Sequence, residues 1–244
     1  MKGIILAGGT GSRLFPLTKV INKHLLPVGR HLMIEYPIAK MKQCGIKDIM
    51  IITGSENMGE MAKLLGSGHD YGVNFTFRIQ DGALGIAHAL GLCEDFVGKD
   101  KCLVILGDNI FLDNIKIYTD KFERQTYGAK VLLKKVSDPY GYGIADMFED
   151  KIIGIEEKPT KPKSDYCVTG IYMYDNEVFD VIKTLKPSQR QELEITDVNN
   201  WYVKQGTLSY DMLEDFWIDA GTFESYFYAN KIAQDMKIDD MLSK

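Results

Sequence analysis

The sequence predicts an α/β fold built on a mixed, mostly parallel sheet that is flanked by helices. In the first 110 residues, short apolar runs alternate with segments of helical spacing, which is the pattern of βαβ units. These apolar runs are continuous, as expected of parallel strands that are covered on both faces. In the second half, predicted strands follow one another with fewer helices between them, which favours a mixed sheet carrying an insertion over one face.

The elements of the first half follow from these two patterns. Apolar residues recur at helical spacing over 33–41, for example, and Gly45 follows them as a helix-terminating glycine. In chain order the predictions are strand 2–6, helix 33–41, strand 48–53, helix 58–65, strand 74–78, helix 84–93 and strand 102–106.

The second half continues the same chain without a visible boundary. Its predicted elements are strands 129–135, 143–148, 152–157 and 166–174 and helices 177–184, 194–205 and 222–236. No linker rich in Gly, Ser or Pro separates the halves. We therefore expect one domain over residues 1–244, with halves at 1–110 and 111–244.

The composition excludes several classes of protein. With 45% hydrophobic and 26% charged residues, the chain is near the globular average, which excludes disorder, collagen and coiled coil. A formal net charge of −5 argues against non-specific nucleic-acid binding, but not against one small anionic ligand. The apolar runs are far shorter than the ~20 residues that span a bilayer, and the first residues lack a signal-peptide hydrophobic region. We expect a cytoplasmic protein that binds neither nucleic acid nor membrane.

A glycine-rich turn follows the first predicted strand. It reads Gly8-Gly9-Thr10-Gly11-Ser12-Arg13, and its glycines let backbone N–H groups approach a phosphate. Leu14 stands where a dinucleotide-binding fingerprint needs its third glycine, and Gly11-Ser12-Arg13 does not match the Gly-Lys-Ser/Thr of a P-loop. The remaining interpretation is a loop for a triphosphate tail; the alternative is a tight surface turn with a solvated Arg13.

Another cation and two carboxylates stand near other strand ends. Lys23 follows ten residues after Arg13, and the two predict an anion clamp. Asp108, in Gly107-Asp108-Asn109, is placed to hold a hard cation such as Mg²⁺. The alternatives are a solvated strand end for Lys23 and a turn for Asp108. Asp219 follows a further apolar stretch, with the cap region of the last helix as its alternative, and spacing alone does not tie it to Asp108.

Glu157, Lys158 and Pro159 close another predicted strand. We expect Pro159 to hold Lys158 in an extended conformation, which aims its ammonium into a cleft next to Glu157. A charged, solvated strand end is the alternative. The histidines show no metal-ligand spacing, and no G-x-S-x-G or H-E-x-x-H motif occurs, so hydrolase and zinc-protease functions lack support.

Taken together, these motifs resemble those of the sugar-nucleotidyltransferase family, and within it the short form of the glucose-1-phosphate thymidylyltransferases. The resemblance covers essentially the whole chain and includes the stretches 185–188 and 192–197. The matching motifs, in order and at family spacing, are Gly8-Gly9-x-Gly-x-Arg13, Lys23-x-Leu-Leu-Pro27, Gln80 with Gly85, Gly107-Asp108-Asn109, Glu157-Lys158-Pro159 and Val168-Thr169-Gly170.

The resemblance implies a fold and a reaction. The fold is a Rossmann-like sheet of the nucleotide-diphospho-sugar transferase type, in which residues 1–110 bind the nucleotide. Residues 111–244 supply the sugar-binding insertion and the C-terminal helices. The reaction is Mg²⁺-dependent transfer of a thymidylyl group from dTTP to glucose 1-phosphate, which gives dTDP-glucose and pyrophosphate in the first step of dTDP-rhamnose synthesis. By the same analogy we expect a homo-oligomer.

The resemblance also implies roles for individual residues. The catalytic residues are Arg13 and Lys23, which neutralise the β- and γ-phosphates, and Lys158, which positions the sugar phosphate. Asp108 and Asp219 hold Mg²⁺. The residues expected to bind the nucleotide are Leu6, Gly8, Gly9, Thr10, Gly11, Arg13, Lys23, Gln80, Gly85 and Asp108, of which Gln80 and Gly85 read the thymine edge. The residues expected to bind the sugar are Asn109, Tyr142, Gly143, Glu157, Lys158 and Val168.

The chain departs from long-form relatives at two kinds of position. His24 and His88 stand where those relatives often have Gln. Long-form relatives also continue for a few dozen residues that help to build a tetramer and an effector site, so we expect this chain to bind that effector more weakly or differently.

Three alternative functions stay open on the sequence. The first is the same reaction with another base or sugar, such as UTP with glucose 1-phosphate, because a glutamine pairs with both thymine and uracil. The second is a non-catalytic nucleotide-binding regulator, against which stands the presence of Arg13, Asp108, Lys158 and Asp219. An NAD-dependent dehydrogenase is a distant third, since the glycine pattern is incomplete.

Overall fold

Strands and helices follow one another in an order close to the predicted one. The computed structural model describes residues 1–234, 236 and 238–242. Within them the strands are β1 (Lys2–Leu6), β2 (Pro27–Val28), β3 (His31–Leu32), β4 (Asp48–Gly54), β5 (Asn74–Gln80), β6 (Cys102–Leu106), β7 (Asn109–Phe111), β8 (Ala129–Lys135), β9 (Gly143–Phe148), β10 (Lys151–Glu157), β11 (Tyr166–Tyr174), β12 (Leu208–Met212) and β13 (Trp217–Asp219). The helices are α1 (Glu35–Gln43), α2 (Met58–Leu65), α3 (Ile86–Gly91), α4 (Glu94–Val97), α5 (Lys116–Arg124), α6 (Val178–Thr184), α7 (Ile195–Gln205), α8 (Phe223–Ala233) and α9 (Ile238–Leu242).

Strands from both halves of the chain join one mixed sheet. Its main path has the order β10-β9-β11-β6-β1-β4-β5, and β8 pairs with β11 and β12. The pairs of β1 with β4, β1 with β6 and β4 with β5 are parallel. β11 is antiparallel to β6, β8 and β9, which makes the sheet mixed in the second half. The predicted α/β fold with a helix-flanked mixed sheet is confirmed.

The central strand β1 is buried on both faces, as its continuous apolar run predicts. Ile4 and Ile5 are both fully buried but belong to different clusters, because successive side chains of a strand point to opposite faces. The cluster around Ile4 includes residues of α3 and α6, such as Leu90. The cluster around Ile5 includes residues of α1 and α2, such as Ile38 and Met61. Helices therefore cover both faces of the parallel strands.

Several elements differ from the sequence prediction. The predicted helix over 84–93 is shorter, because Gly85 has a φ of 96° and α3 begins only after it. The sequence pattern does not predict helix α5. Only Thr119 and Phe122 are buried along this helix, so its apolar pattern is weak. The sequence pattern also does not predict the strand β12 or the short ladder between β7 and β13.

The end of the chain differs as well. The last predicted helix runs over 222–236, whereas α8 ends at Ala233, and residue 235 lies outside the described residues. Among the helices described, none combines the length and the apolar character needed to cross a bilayer.

The parallel strands end together and so gather several loops at one edge. The register pairs Leu6 with Leu106 and Gly54 with Gln80. The glycine-rich turn follows β1, Gln80 is the last residue of β5, and Asp108 comes shortly after β6. Open α/β sheets bind ligands outside this edge, so the topology already places the candidate site there.

Lys40 is a buried lysine of α1 that fixes the chain after β7. Its side chain is 1% exposed, and Nζ donates to the carbonyl oxygens of Leu112 at 2.9 Å and Asp113 at 2.8 Å. Nζ also lies 5.0 Å from the centre of the Phe111 ring. Burial lowers the pKa of Lys40 to about 8. α1 therefore holds the segment that leads out of the site.

Replacing Lys40 by Met should destabilise the protein, because the buried carbonyl oxygen of Asp113 and the partly buried one of Leu112 lose their donor. We expect the free energy of unfolding to fall by about 2–4 kcal/mol, as measured by urea denaturation followed by circular dichroism. Lys47→Met is the control, because Lys47 is exposed, and it should change this free energy by less than about 0.5 kcal/mol. Equal stability of the two variants would contradict the role given to Lys40.

Candidate active site

A cavity of about 320 Å³ opens at the carboxyl edge of the parallel strands. The predicted site residues that line it are Leu6, Gly8, Gly9, Arg13, Lys23, Gln80, Gly85, Asp108, Asn109, Tyr142, Gly143, Glu157, Lys158, Val168 and Asp219. Two predicted residues, Thr10 and Gly11, are not part of the lining that the structure describes. The structure thus brings nearly all the predicted residues to one cavity, from both halves of the chain.

The glycine-rich turn folds back on itself at the mouth of the cavity. Gly9 and Gly11 have φ angles of 98° and 62°, which side chains rarely adopt. The Thr18 hydroxyl donates to the carbonyl oxygen of Gly11 at 2.8 Å, and a β-carbon on Gly11 would lie 2.8 Å from the Thr18 methyl group. Gly11 therefore shapes the loop, while Gly8 and Gly9 present backbone to the cavity.

The Lys23 ammonium contacts the Asp108 carboxylate inside the cavity. The two side chains are only 13% and 9% exposed. Burial alone lowers the pKa of Lys23, but the carboxylates of Asp108 and Asp219 outweigh burial and raise it. Burial alone likewise raises the pKa of Asp108, and the Lys23 charge reverses this and holds it well below its usual range. Both groups are therefore charged at neutral pH.

The ladder between β7 and β13 brings a second carboxylate beside the first. Its register pairs Asp219 with Asn109, and the Ala220 N–H donates to the carbonyl oxygen of Asp108 at 2.9 Å. Burial and the negative charge of Asp108 raise the pKa of Asp219 to about 6. The N-cap of α8 is Thr222, and Asp219 lies three residues before it, where its carboxylate accepts a hydrogen bond from the Gly221 N–H at 2.9 Å.

The donor set of Asp108 and Asp219 fits Mg²⁺. This ion is typically bound by one or two carboxylates and completes its shell with phosphate oxygens and water. Burial and the negative charge of Asp108 together raise the pKa of Asp219, so the site disfavours two ionised carboxylates side by side. A divalent cation held by the two carboxylates would offset both effects.

Asn109 is held rigidly in the cavity wall. Its Oδ1 accepts hydrogen bonds from the Gly170 N–H at 2.9 Å and from Trp217 Nε1 at 2.8 Å. Its Nδ2 donates to Asp108 at 3.2 Å. A β-carbon on Gly170 would lie 2.7 Å from the Asn109 amide, so this position requires glycine. The Trp217 ring meets the Tyr142 ring edge to face, with centroids 5.5 Å apart, and the two form an aromatic wall.

The structure corrects the expected backbone of Lys158. Its φ is 45°, in the left-handed region, whereas the following Pro159 predicts an extended conformation. The Lys158 N–H donates to the carbonyl oxygen of Tyr142 at 3.0 Å, which holds the residue in this conformation. Its Nζ lies 3.7 Å from Glu157, and the side chain lines the cavity as expected. Such strained residues cluster at functional sites.

A group of charged residues before α7 lines the cavity beside Glu157, and the sequence pattern does not predict it. Arg190 donates two hydrogen bonds to Glu194, at 3.1 and 2.7 Å, and lies 3.7 Å from Glu157. The Thr196 hydroxyl donates to Glu157 at 2.7 Å. A charged run usually indicates solvated surface, so the one available signal was the resemblance over 192–197.

Gln80 and Gly85 stand together in another part of the wall. Gln80 is 7% exposed, and its Nε2 donates to the carbonyl oxygen of Gly85 at 3.1 Å. A β-carbon on Gly85 would lie 2.4 Å from the carbonyl oxygen of Leu193. Only glycine therefore fits at position 85, where the backbone passes close to the segment before α7. The Leu193 carbonyl oxygen also accepts a hydrogen bond from the Ala87 N–H at 3.1 Å.

His24 is a buried structural histidine. Burial and the charge of Lys23 lower its pKa to about 3, so the ring is neutral. Its Nδ1 lies 2.7 Å from Oδ1 of Asn22, and a β-carbon on Gly107 would lie 2.6 Å from the ring. The ring therefore packs against the turn that carries Asp108.

Comparison with known proteins assigns this geometry to a family. The sequence profile of the family described as Nucleotidyl transferase matches residues 2–236. The chain belongs to the nucleotidyl transferase family. The predicted resemblance is thereby confirmed, and the chain is a nucleotidyltransferase enzyme.

Individual members of the nucleotidyl transferase family are similar over nearly the whole chain. The glucose-1-phosphate thymidylyltransferase of Neisseria meningitidis is 43% identical over 238 residues, which are 96% of this chain and 83% of that protein. A crystal structure from Bacillus anthracis, described as a candidate glucose-1-phosphate thymidylyltransferase in complex with sucrose, has a TM-score of 0.94 and 62% identity over 97% of this chain and 96% of that chain. UDP-glucose pyrophosphorylase complexed with UDP-glucose has a TM-score of 0.86 at 22% identity, over 96% and 98% of the two chains, and so shares the fold.

Asp219→Asn should stabilise this nucleotidyltransferase when no divalent cation is bound. The variant removes a charge that is disfavoured by burial and by the adjacent Asp108 carboxylate, and its amide oxygen can still accept the hydrogen bond from the Gly221 N–H. We expect the free energy of unfolding to rise by about 1–3 kcal/mol at pH 7, as measured by urea denaturation in EDTA. The control is Asp150→Asn at an exposed site, which should leave this free energy unchanged. A variant less stable than the wild type would contradict the assigned repulsion.

Proposed function

We propose that the chain transfers a thymidylyl group from dTTP to glucose 1-phosphate and releases pyrophosphate. The observation that carries the proposal is one cavity in which Arg13, Lys23 and Lys158 meet the carboxylates of Asp108 and Asp219. The similarity to the Neisseria meningitidis enzyme supports the choice of dTTP and glucose 1-phosphate. A reaction between two polyanions needs this concentration of fixed positive charge.

The reaction needs charge and alignment rather than a general base. The second pKa of a phosphate ester is about 6, so the attacking oxygen of glucose 1-phosphate is already an anion at pH 7. This oxygen forms a bond to the α-phosphorus of dTTP, while the bond from that phosphorus to the bridging oxygen breaks and pyrophosphate leaves. Holding the two reactants in line can supply about 7–11 kcal/mol of the barrier. Fixed cations then stabilise the charge of the departing pyrophosphate.

In this mechanism Arg13 and Lys23 neutralise the β- and γ-phosphates beside the glycine-rich turn of Gly8 to Gly11. A guanidinium nitrogen of Arg13 lies 3.0 Å from where a β-carbon on Gly221 would stand, so the side chain reaches the segment after Asp219. Lys158 positions the sugar phosphate from another part of the cavity wall.

Asp108 and Asp219 would hold Mg²⁺, which supplies positive charge to phosphate oxygens when bound. The contact with Lys23 keeps Asp108 ionised, so one of the two ligands is ready at neutral pH. The two carboxylates, one of them held ionised by Lys23, support Mg²⁺ as the cofactor.

Two groups of cavity-lining residues have different chemistry. Leu6, Gln80 and Gly85 offer an apolar side chain and amide groups, which suit a nucleobase. Asn109, Tyr142, Gly143, Glu157 and Val168 lie around the aromatic wall and the Glu157 carboxylate, which suit a sugar ring with several hydroxyl groups.

The resemblance supports wider expectations about the pathway, the compartment, the assembly and the partners of the enzyme. The reaction serves dTDP-rhamnose synthesis as its first step, the enzyme works in the cytoplasm, and it forms a homo-oligomer. It acts on small molecules, with neither nucleic acid nor membrane as a partner.

A second candidate is transfer of a uridylyl group from UTP, because the imide edge that a Gln80 amide recognises is common to thymine and uracil. A panel of dTTP, UTP, dCTP and dATP, each with glucose 1-phosphate and Mg²⁺, distinguishes the two by the kcat/KM of pyrophosphate release. We expect dTTP to give the highest value. A higher kcat/KM for UTP would support uridylyl transfer. If none of the four nucleotides gave pyrophosphate release, both candidate functions would be contradicted.

A further inference from the structure

His88 is a cavity neighbour to which the proposed mechanism gives no role. Its Nδ1 lies 3.1 Å from Nε2 of Gln80, and the same Nε2 donates to the carbonyl oxygen of Gly85 at 3.1 Å. A backbone carbonyl oxygen only accepts, so the Gln80 atom that faces Gly85 is the amide nitrogen. The nitrogen also only donates, so Nδ1 of His88 is the acceptor and its ring proton is on Nε2.

These two contacts fix which way the Gln80 amide faces. Both N–H groups are used within the protein, and Oε1 has no hydrogen-bond partner among the residues that the structure describes. Oε1 lies 3.2 Å from where a β-carbon on Gly8 would stand, so the missing side chain of Gly8 leaves room for it in the cavity wall. Gln80 is 7% exposed and lines the cavity, so its unpaired acceptor is available to a ligand there.

A carbonyl oxygen in this position selects for a ligand that presents an N–H group. The N3 atom of thymine or uracil carries a hydrogen, whereas N3 of cytosine is an acceptor and would face Oε1 with two lone pairs opposed. If the amide turned over, its nitrogen would face the ligand and the preference would be reversed. Selectivity therefore depends on what prevents that rotation.

We propose that His88 is a positioning residue that prevents this rotation and so sets the preference of the site for bases with an N3–H group. With His88 present, rotation breaks two hydrogen bonds, sets Oε1 against the Gly85 carbonyl oxygen, and leaves Oε1 facing Nδ1 unless the ring proton moves from Nε2 to Nδ1. Without it, only the Gly85 contact opposes rotation. The inference rests on the proposed function, because it needs a nucleobase next to Gln80.

The test compares His88→Leu, which has no acceptor, with His88→Gln, whose side-chain carbonyl can accept in place of Nδ1. The control is His69→Leu, at a histidine whose side chain is 82% exposed and lies outside the cavity lining. The KM and kcat for dTTP are measured at saturating glucose 1-phosphate, and dCTP is measured as a competitive inhibitor. Thermal melting reports whether each variant is folded.

For His88→Leu we expect the KM for dTTP to rise about three- to tenfold, the usual effect of one lost hydrogen bond. The ratio of the dCTP inhibition constant to the dTTP KM should fall by at least this factor. The kcat and the KM for glucose 1-phosphate should change less than twofold. His88→Gln should keep both nucleotide values within about twofold of the wild type, since it restores an acceptor, and His69→Leu should match the wild type.

Two results would overturn the inference while leaving the proposed function intact. One is a folded His88→Leu with the dTTP KM and dCTP ratio of the wild type. The other is equal losses for dTTP and dCTP in both variants, which indicates a structural role only. If His88→Leu does not fold, His88→Ala takes its place.

A wild type that turns over no nucleotide refutes the proposed function instead. The inference is then decided by the Kd values of dTTP and dCTP, measured by calorimetry without the sugar phosphate. If the ratio of the dCTP Kd to the dTTP Kd is the same in the wild type and in His88→Leu, the inference about His88 is overturned. A smaller ratio in the variant supports the inference.

Discussion

The buried contact between the Lys23 ammonium and the Asp108 carboxylate is the interaction on which the rest of the site depends. Either charge alone would be costly to bury, and each keeps the other ionised. The loop after β1 brings Lys23 to Asp108, because the neighbouring His24 ring packs against Gly107 in the turn after β6, the strand that pairs with β1. The ladder of β7 with β13 then adds Asp219, whose pKa is raised by burial and by the negative charge of Asp108.

Much of this arrangement could be predicted from the sequence because its signals are local. Continuous apolar runs identify the parallel strands, and the register of such strands brings their carboxyl ends together. Gly8 and Asp108 directly follow two of these runs, so their meeting at one edge needed no knowledge of distant contacts. The residue types around Gly8 and Asp108 are equally compatible with an ordinary surface turn. Only the tertiary structure decides between such a turn and a ligand-binding loop.

The remaining parts could not be predicted because they depend on long-range packing. Asp219 reaches Asp108 through a three-residue ladder that leaves no periodic pattern in the sequence. Arg190 lies in a charged run that indicates solvent, yet its guanidinium is held by Glu194 at the cavity. The φ of Lys158 opposes the preference set by Pro159, because a hydrogen bond to the Tyr142 carbonyl oxygen holds the backbone there.

The kcat of Lys23→Met with saturating dTTP and glucose 1-phosphate tests the central claim most directly. If the Lys23 ammonium stabilises the departing pyrophosphate, kcat should fall by about 100-fold or more while circular dichroism shows a folded chain. Lys19→Met, at an exposed lysine of the same loop, should retain the wild-type kcat. A folded Lys23→Met enzyme whose kcat lies within about threefold of the wild type, which is less than 1 kcal/mol of barrier, would contradict the account.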